Sequence, residues 1–238
     1  MSNNNSQALA PCTQLQHWLF YTPMGREILR KERIFLGQNI AQIFGNYSLQ
    51  LGLSEINLLQ GNKITNHYTL NRDLKAELHC LPFASNSINL IICPHRIEFT
   101  PNYPAALAEL QRILAPNGYL IISCFNRYSW FGLFKRWMPV LKTAQLISLE
   151  TLKQQLQGLN FCIEGGKFFS YCPPFTRAAQ LAKYRWLNQV GDRWLPTLAN
   201  SFTLIARKDL VTPTLISPST ARSYELFNPS LGTLCNKN

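Results

Sequence analysis

Residues 104–124 read Pro-Ala-Ala-Leu-Ala-Glu-Leu-Gln-Arg-Ile-Leu-Ala-Pro-Asn-Gly-Tyr-Leu-Ile-Ile-Ser-Cys, and this stretch decides the fold class of the chain. Proline is well placed in the first turn of a helix, and the leucines that follow it recur at helical spacing. Pro116-Asn117-Gly118 ends the helix, and the apolar run Tyr119–Cys124 follows as a strand. A helix that passes through a tight turn into a buried strand is typical of an α/β domain.

The same alternation of helices and strands extends in both directions along the chain. Thr13–Phe44 predicts two helices that meet at Thr22-Pro23, the second of them amphipathic. Ser148–Leu159 predicts another helix, with Ser148 as its N-cap, and Phe175–Asn188 predicts a last one. Apolar clusters predict further short strands at Ser48–Leu51, Tyr68–Leu70, Ala76–Cys80, Leu90–Cys93, Phe161–Tyr171 and Ser201–Arg207. The last two strands flank a helix late in the chain, so they predict an antiparallel edge on a mixed sheet.

The pattern predicts one domain over residues 13–208, with N-terminal helices over residues 13–44. The chain has 238 residues, of which 46% are hydrophobic, and this is ample for one continuous core. Residues 1–12 are polar, and we expect them to be disordered. Residues 209–238 lack periodicity, and we expect them to form a tail.

Neither a membrane span nor a secretory signal is predicted. The apolar runs are far shorter than the roughly 20 residues that cross a bilayer, and residues 1–6 lack a basic stretch followed by an apolar run. We therefore expect a cytoplasmic protein without a transmembrane segment. The seven cysteines are scattered without the spacing of a zinc site, so we expect reduced, mostly buried thiols and no metal.

The formal net charge of +11 is concentrated in the second half of the chain. Residues 110–208 hold thirteen Lys and Arg against three Asp and Glu, whereas residues 1–109 hold eight against seven. A basic surface attracts nucleic acid, phosphorylated metabolites or anionic lipid, but it also keeps a protein soluble without any such partner. The charge leaves these alternatives open, and no segment is similar to a dedicated nucleic-acid motif.

Three segments in order resemble the methyltransferase type-11 family of class I S-adenosylmethionine-dependent methyltransferases. Residues 77–92 resemble the family pattern DAxxLPFxxxSFDxVxx, residues 94–99 resemble xxHVLEH, and residues 108–122 resemble xExxRVLKPGGxLxI. Residues 125–133 are also similar to a small bacterial branch of the family in which the glycine loop is reduced. The resemblance implies a Rossmann-like fold, with a mostly parallel seven-stranded sheet, an antiparallel edge and helices on both faces.

The resemblance further implies S-adenosylmethionine as the cofactor, in a crevice beyond the carboxyl ends of the strands. The first strand keeps Gly52 of the family's glycine loop but lacks the second and third glycines, and residues 54–66 are short for the helix that normally follows. Asn71 stands where the family usually has an acid for the ribose hydroxyls, with Asp73 nearby. The residues implied at the cofactor are Leu51, Gly52, Asn71, Glu77, Cys80, Leu81, Pro94 and His95.

His95 is implied near the transferred methyl group, where a histidine can act as a general base. The alternative is a structural role, in which His95 hydrogen-bonds Glu98 or a loop carbonyl. Aromatic and basic residues follow the next strand, on the side where family substrates enter. The predicted substrate or partner surface comprises Arg127, Tyr128, Trp130, Lys135 and Arg136. These side chains can stack on a planar ring or contact a phosphate, or they can belong to a lid helix that packs its aromatics on the sheet.

Three functions follow from these observations. The first is methyl transfer to a small molecule, which depends mainly on aligning the nucleophile with the methyl group and requires few catalytic side chains. The second is a binding protein that has lost the cofactor and holds a partner or an anionic ligand on its basic aromatic surface. The third is a nucleic-acid methyltransferase, whose binding would weaken steeply with salt. The acceptor and the oligomeric state are not specified by the sequence.

Overall fold

The computed structural model describes residues 3–70, 73, 76–174, 178–184, 186–188, 191 and 196–209. These residues form a six-stranded sheet in the order β2-β1-β3-β4-β6-β5. The strands are β1 (Tyr47–Gln50), β2 (Asn66–Thr69), β3 (Ile88–Pro94), β4 (Leu114–Phe125), β5 (Phe161–Phe169) and β6 (Ser201–Lys208). The first four strands are mutually parallel, and β6 runs antiparallel to both β4 and β5. The predicted Rossmann-like sheet with an antiparallel edge is confirmed.

Helices cover both faces of the sheet. They are α1 (Asn3–Tyr21), α2 (Pro23–Ile40), α3 (Tyr103–Ile113), α4 (Trp130–Leu133), α5 (Leu149–Gly158) and α6 (Ala178–Lys183). The Thr22 side chain accepts a hydrogen bond from Gly25 N at the start of α2, and Ser148 caps α5 in the same way through Thr151 N. Both predicted helix starts are therefore confirmed. Helix α1 begins at Asn3, inside the segment expected to be disordered, because Gln-Ala-Leu-Ala over residues 7–10 favours helix.

Alternating side chains of the central strands fill two separate cores. Ile92 of β3 packs with α1 and α2 on one face, whereas Ile91 packs with α3 and α5 on the other. Both are fully buried, as expected for strands of a parallel sheet that is covered on both sides. The sheet therefore positions the loops at its edge on a rigid support.

Two segments between the strands differ from a complete α/β repeat. The strand predicted at Ala76–Cys80 does not form, because the chain turns back there with Cys80 N donating to Glu77 O, and only an isolated bridge joins these two residues. This accounts for six strands rather than seven. Residues 51–65, all of which are described, form turns and no helix, in agreement with the shortness noted in the sequence.

No helix within the described residues is long and apolar enough to cross a membrane. Apart from Asp209, whose backbone N donates to Asn160 O, the predicted tail lies outside the described residues.

Candidate active site

The loops after β1, β3 and β4 lie side by side at one edge of the sheet. Leu51 N donates to Ile92 O, and His95 N donates to Ser123 O, so neighbouring strands hold each loop in register. Gly52 has a φ of +107°, and a Cβ at this position would lie 3.0 Å from Pro94 O. Both the backbone conformation and the close approach of the β3 loop therefore require glycine here.

The side chain of Gln50 braces the loop that follows β1. Its amide nitrogen lies 3.0 Å from Gly52 O, 3.0 Å from Leu53 O and 2.8 Å from Ile56 O, and its amide oxygen accepts from Leu58 N at 2.9 Å. Gln50 is fully buried. One side chain thus satisfies backbone groups that a helix would otherwise satisfy, which explains how the loop is ordered without one.

His95 lies in the core between two carboxylates. Its Nε2 is 3.1 Å from Glu32 of α2, its Nδ1 is 3.2 Å from Glu98, and its ring stacks on Phe125 at 4.0 Å. Burial lowers the pKa of His95, but the charge of Glu32 and the hydrogen bonds to both carboxylates outweigh it and raise the pKa to about 10. Ser201 also donates to Glu32. Both ring nitrogens of His95 are engaged and its side chain is fully buried, which is the geometry expected for the structural alternative.

Arg96 lies next to Gly52 and reaches towards α1. Its Cβ is 3.4 Å from the position that a Cβ on Gly52 would occupy, and its Nη1 donates to the thiol of Cys12. Burial raises the pKa of Cys12, and Arg96 partly offsets this, so the thiol is protonated at neutral pH. Within the described part of the chain, Arg96 Nε is buried without a hydrogen-bond partner. Arg96 therefore starts beside the Gly52–Pro94 contact and keeps a buried donor that is not used.

The other residues predicted at the cofactor fall into two groups. Leu51, Leu81 and Pro94 are buried, whereas Glu77 and Cys80 are exposed. Glu77 lies 3.2 Å from His79, and Leu81 N donates to Glu109. Asn71 lies outside the described residues. The described residues contain no group of His, Cys, Asp and Glu suited to a metal ion.

A cavity of about 760 Å³ lies where α1 meets the segment after β4. Trp18 lines this cavity and also packs edge-on against Phe125 and Phe131, which connects the cavity to the end of β4. Its lining residues are Gln14, His17, Trp18, Thr22, Met24, Phe134, Trp137, Met138, Pro139, Val140, Pro173 and Pro174. No Asp, Glu, Lys or Arg is among them, so the cavity suits an uncharged, largely apolar molecule.

The predicted substrate or partner surface lies beside this cavity and is mostly exposed. Arg127, Tyr128 and Trp130 line a second cavity of about 610 Å³, while Arg136 is exposed and Lys135 is partly exposed. In α4, Phe131 is the residue that packs into the core. The alternative of a lid helix that buries its aromatics therefore holds for Phe131 but not for Trp130.

No role was predicted from the sequence for Glu32, Gln50 or Arg96. Glu32 does carry a signal, because it stands four residues from both Ile28 and Leu36 on the apolar stripe of α2, where a carboxylate needs a buried partner. Gln50 and Arg96 carry no comparable signal, since their roles depend on which loops the sheet brings together.

A methyltransferase-domain family matches residues 15–164, more than half of the chain. The chain is 37% identical over 140 residues to the protein YafS of Escherichia coli K12. This match covers 57% of this chain and 54% of that protein. It is 32% identical over 65 residues to a malonyl-[acyl-carrier protein] O-methyltransferase of Halorhodospira halophila. This match covers 27% of this chain and 22% of the relative. The chain therefore spans about half or less of the length of these curated relatives.

Solved structures share the fold. A chain from the complex between the Haloferax volcanii Trm112 methyltransferase activator and a methyltransferase superposes with a TM-score of 0.57 at 11% identity, covering 82% of this chain and 98% of the other. An S-adenosylmethionine-dependent methyltransferase of Archaeoglobus fulgidus gives a TM-score of 0.56 at 15% identity, covering 75% of this chain and 94% of the other. At these identities the likeness is one of architecture.

Proposed function

This chain belongs to the methyltransferase-domain family of S-adenosylmethionine-dependent enzymes, and from that premise we propose that it methylates a small, uncharged and largely apolar molecule. This acceptor class is supported by the cavity of about 760 Å³ beside α1. Its described lining is mostly aromatic and aliphatic, with Gln14, His17 and Thr22 as the polar members, and contains no Asp, Glu, Lys or Arg. A neutral acceptor keeps its apolar surface out of water there, whereas a charged one would have to be desolvated without a partner.

The crevice fits the cofactor of this family in a modified form. The loop after β1 is occupied by the Gln50 side chain, so it does not offer an open cradle of backbone amides. Beside it, Arg96 keeps a buried donor without a partner, and such a donor suits an anionic group. In this proposal Gly52 and Pro94 form the floor of the crevice, and Glu77 and Cys80 lie at its outer side. S-adenosylmethionine supplies an activated methyl group when it is bound.

The chain's own residues align the acceptor with the crevice. Cys12 contacts Arg96 at the crevice, whereas Trp18 lines the cavity, and the six-residue separation corresponds to roughly 9 Å along α1. Trp18 is fixed by its edge-on contacts with Phe125 and Phe131, so it offers a rigid wall to the acceptor. The aromatic walls exclude water, and positioning of this kind supplies most of what a direct displacement needs.

Binding and transfer assays test this proposal. Isothermal titration of the full chain with S-adenosylhomocysteine is expected to give saturable heat. With methyl-labelled S-adenosylmethionine, label is expected to pass to members of a panel of neutral aromatic and acyl compounds and not to charged analogues of the same size. Absence of heat and of any thermal shift at millimolar S-adenosylmethionine and S-adenosylhomocysteine would contradict the proposal.

A second function, ligand binding without methyl transfer, is supported by the loop after β1. Residues 51–65 form no helix, and Gln50 fills the space beneath the loop. A protein of this second kind retains the apolar cavity and binds neutral compounds there. Their affinity is then the same with and without S-adenosylhomocysteine. A methyltransferase instead binds acceptor and cofactor in adjacent places, so S-adenosylhomocysteine changes the acceptor affinity.

A further inference from the structure

We propose that Arg96 binds the carboxylate at the amino-acid end of S-adenosylmethionine and replaces the backbone anchor that the shortened loop after β1 has lost. This inference rests on the proposed function and deepens it. It assigns a ligand to a side chain that stands where the family pattern quoted above has valine.

The guanidinium group of Arg96 is only partly hydrogen-bonded. Within the described residues, Nη1 donates a hydrogen bond to the Cys12 thiol, whereas Nε is buried without a hydrogen-bond partner. Nε and Nη2 lie on one edge of the planar group, and that edge is the fork that receives a carboxylate through two parallel hydrogen bonds. A buried donor left unpaired costs about 1–3 kcal/mol, so a ligand that fills it gains affinity.

Arg96 lies where the loops after β1 and β3 meet. Arg96 Cβ lies 3.4 Å from where a Cβ on Gly52 would be, and Pro94 O lies 3.0 Å from the same point. The Arg96 side chain therefore starts at the junction of the β1 and β3 loops, where ligands of open α/β sheets bind, and its guanidinium group reaches from there to Cys12 on α1. In this proposal the polar end of the cofactor lies between that junction and α1.

Arg96 forms no ion pair within the described residues. Glu32 and one oxygen of Glu98 contact His95, while Glu98 Oε2 is buried without a hydrogen-bond partner and is not paired with Arg96. The partner that Arg96 does have is the thiol of Cys12, a weak acceptor that carries no charge when protonated. A ligand carboxylate therefore has no anionic side chain to displace.

Calorimetry with two ligands tests the proposal. S-adenosylhomocysteine carries the carboxylate, whereas 5′-methylthioadenosine has the same adenosine and thioether but lacks the amino-acid end. We expect Arg96→Gln to weaken S-adenosylhomocysteine binding about 10- to 100-fold and to leave 5′-methylthioadenosine binding within about twofold. Arg96→Lys keeps the charge but not the fork, and we expect it to restore part of the lost affinity.

Arg33→Gln is the matched control, because Arg33 is an exposed arginine on α2 that contacts Gln60 and lies outside the site. It is expected to leave both affinities unchanged. The melting temperature of each variant checks that it is folded. Equal weakening of both ligands by Arg96→Gln, or no weakening of either, overturns the role of Arg96. If the wild-type protein binds neither ligand, the proposed function fails and the inference fails with it.

Discussion

Glu32 and His95 stand in different parts of the chain, yet the Glu32 carboxylate lies 3.1 Å from His95 Nε2 with both side chains buried. The contact joins α2 to the end of β3, and Glu98 holds the opposite ring nitrogen at 3.2 Å. Because a buried charge is tolerated only when it is paired, each member of this group depends on the others. The arrangement therefore fixes the N-terminal helices to the edge of the sheet that carries the site.

The first prediction concerns the pH dependence of stability. The pKa of His95 is raised from 6.5 to about 10 in the folded protein, so protonation stabilises the fold. This contribution is fully present below about pH 6.5 and is lost as the pH rises towards 10, because the unfolded state releases the proton first. Urea denaturation between pH 6 and 9 is expected to show stability falling with pH. In His95→Gln the fall is expected to be much shallower, and an equal slope in both proteins would contradict the prediction.

The second prediction tests the Glu32 carboxylate. Glu32→Gln leaves a buried imidazolium with one charged partner fewer, so we expect a loss of about 3–5 kcal/mol in the free energy of unfolding. Glu27→Gln on the same helix removes a partly exposed ion pair with Lys31, at 3.0 Å, and keeps an oxygen that can accept the hydrogen bond from Asn188, so it is expected to cost less than about 1 kcal/mol. Urea titration of both variants at pH 7 measures the difference, and similar losses in the two would count against a buried charge pair.

The third prediction concerns Gln50. Gln50→Ala leaves three carbonyl oxygens and Leu58 N without the side chain that pairs with them, so we expect a loss of about 2–4 kcal/mol. Gln60→Ala serves as control, since the exposed Gln60 contacts only Arg33 among the described residues. Limited proteolysis is expected to cut Gln50→Ala faster within residues 51–65, whereas unchanged cleavage would show that the loop is held by other contacts.

The fourth prediction separates backbone strain from close packing. Gly61 has a φ of +90° with nothing within 4 Å of an added Cβ, so Gly61→Ala is expected to cost about 1–2 kcal/mol through conformation alone. Gly52→Ala meets Pro94 O as well, and we expect a further loss of about 1–3 kcal/mol. Thermal denaturation of both variants measures the two losses, and Gly52→Ala is expected to lose more stability than Gly61→Ala. Equal losses, or a larger loss in Gly61→Ala, would show that the β1 and β3 loops can move apart freely.

The fifth prediction concerns the apolar cavity. Trp137 is 74% exposed, so Trp137→Ala is expected to change the free energy of unfolding by less than about 0.5 kcal/mol. Trp18→Ala removes contacts with Phe125 and Phe131, so it is expected to cost about 3 kcal/mol. Both side chains line the cavity. Fluorescence titration with the neutral probe N-phenyl-1-naphthylamine is expected to show weaker binding in both variants. Unchanged probe affinity in Trp137→Ala would place the ligand elsewhere.

The sequence predicted the architecture well because local signals determined it. Thr22-Pro23 and Ser148 set helix starts through their own hydrogen bonds, and residues 108–122 carried a helix and a strand in one continuous pattern. The boundary was predicted too late, because β4 begins at Leu114 and already includes Pro116-Asn117-Gly118, which was expected to end the helix. The segment Ala76–Cys80 was predicted wrongly as a strand, because its apolar residues belong to a turn that packs on the sheet without pairing with it. Apolar content alone does not distinguish these two cases.

The site was predicted less completely because its contacts join distant parts of the chain. Gly52, Pro94 and His95 were placed at the crevice from their positions after strands, and the pairing of His95 with Glu98 is the alternative that the sequence offered. The contacts of His95 with Glu32 and of Arg96 with Cys12 depend on where α1 and α2 cross the sheet. No local pattern encodes that crossing.

The brace formed by Gln50 has a kinetic consequence. Its hydrogen bonds order the loop after β1 during folding. The conformational entropy of that loop is therefore already lost before any nucleoside binds. An incoming molecule then meets a preformed wall, and its rate of capture is set by diffusion and orientation instead of by loop closure.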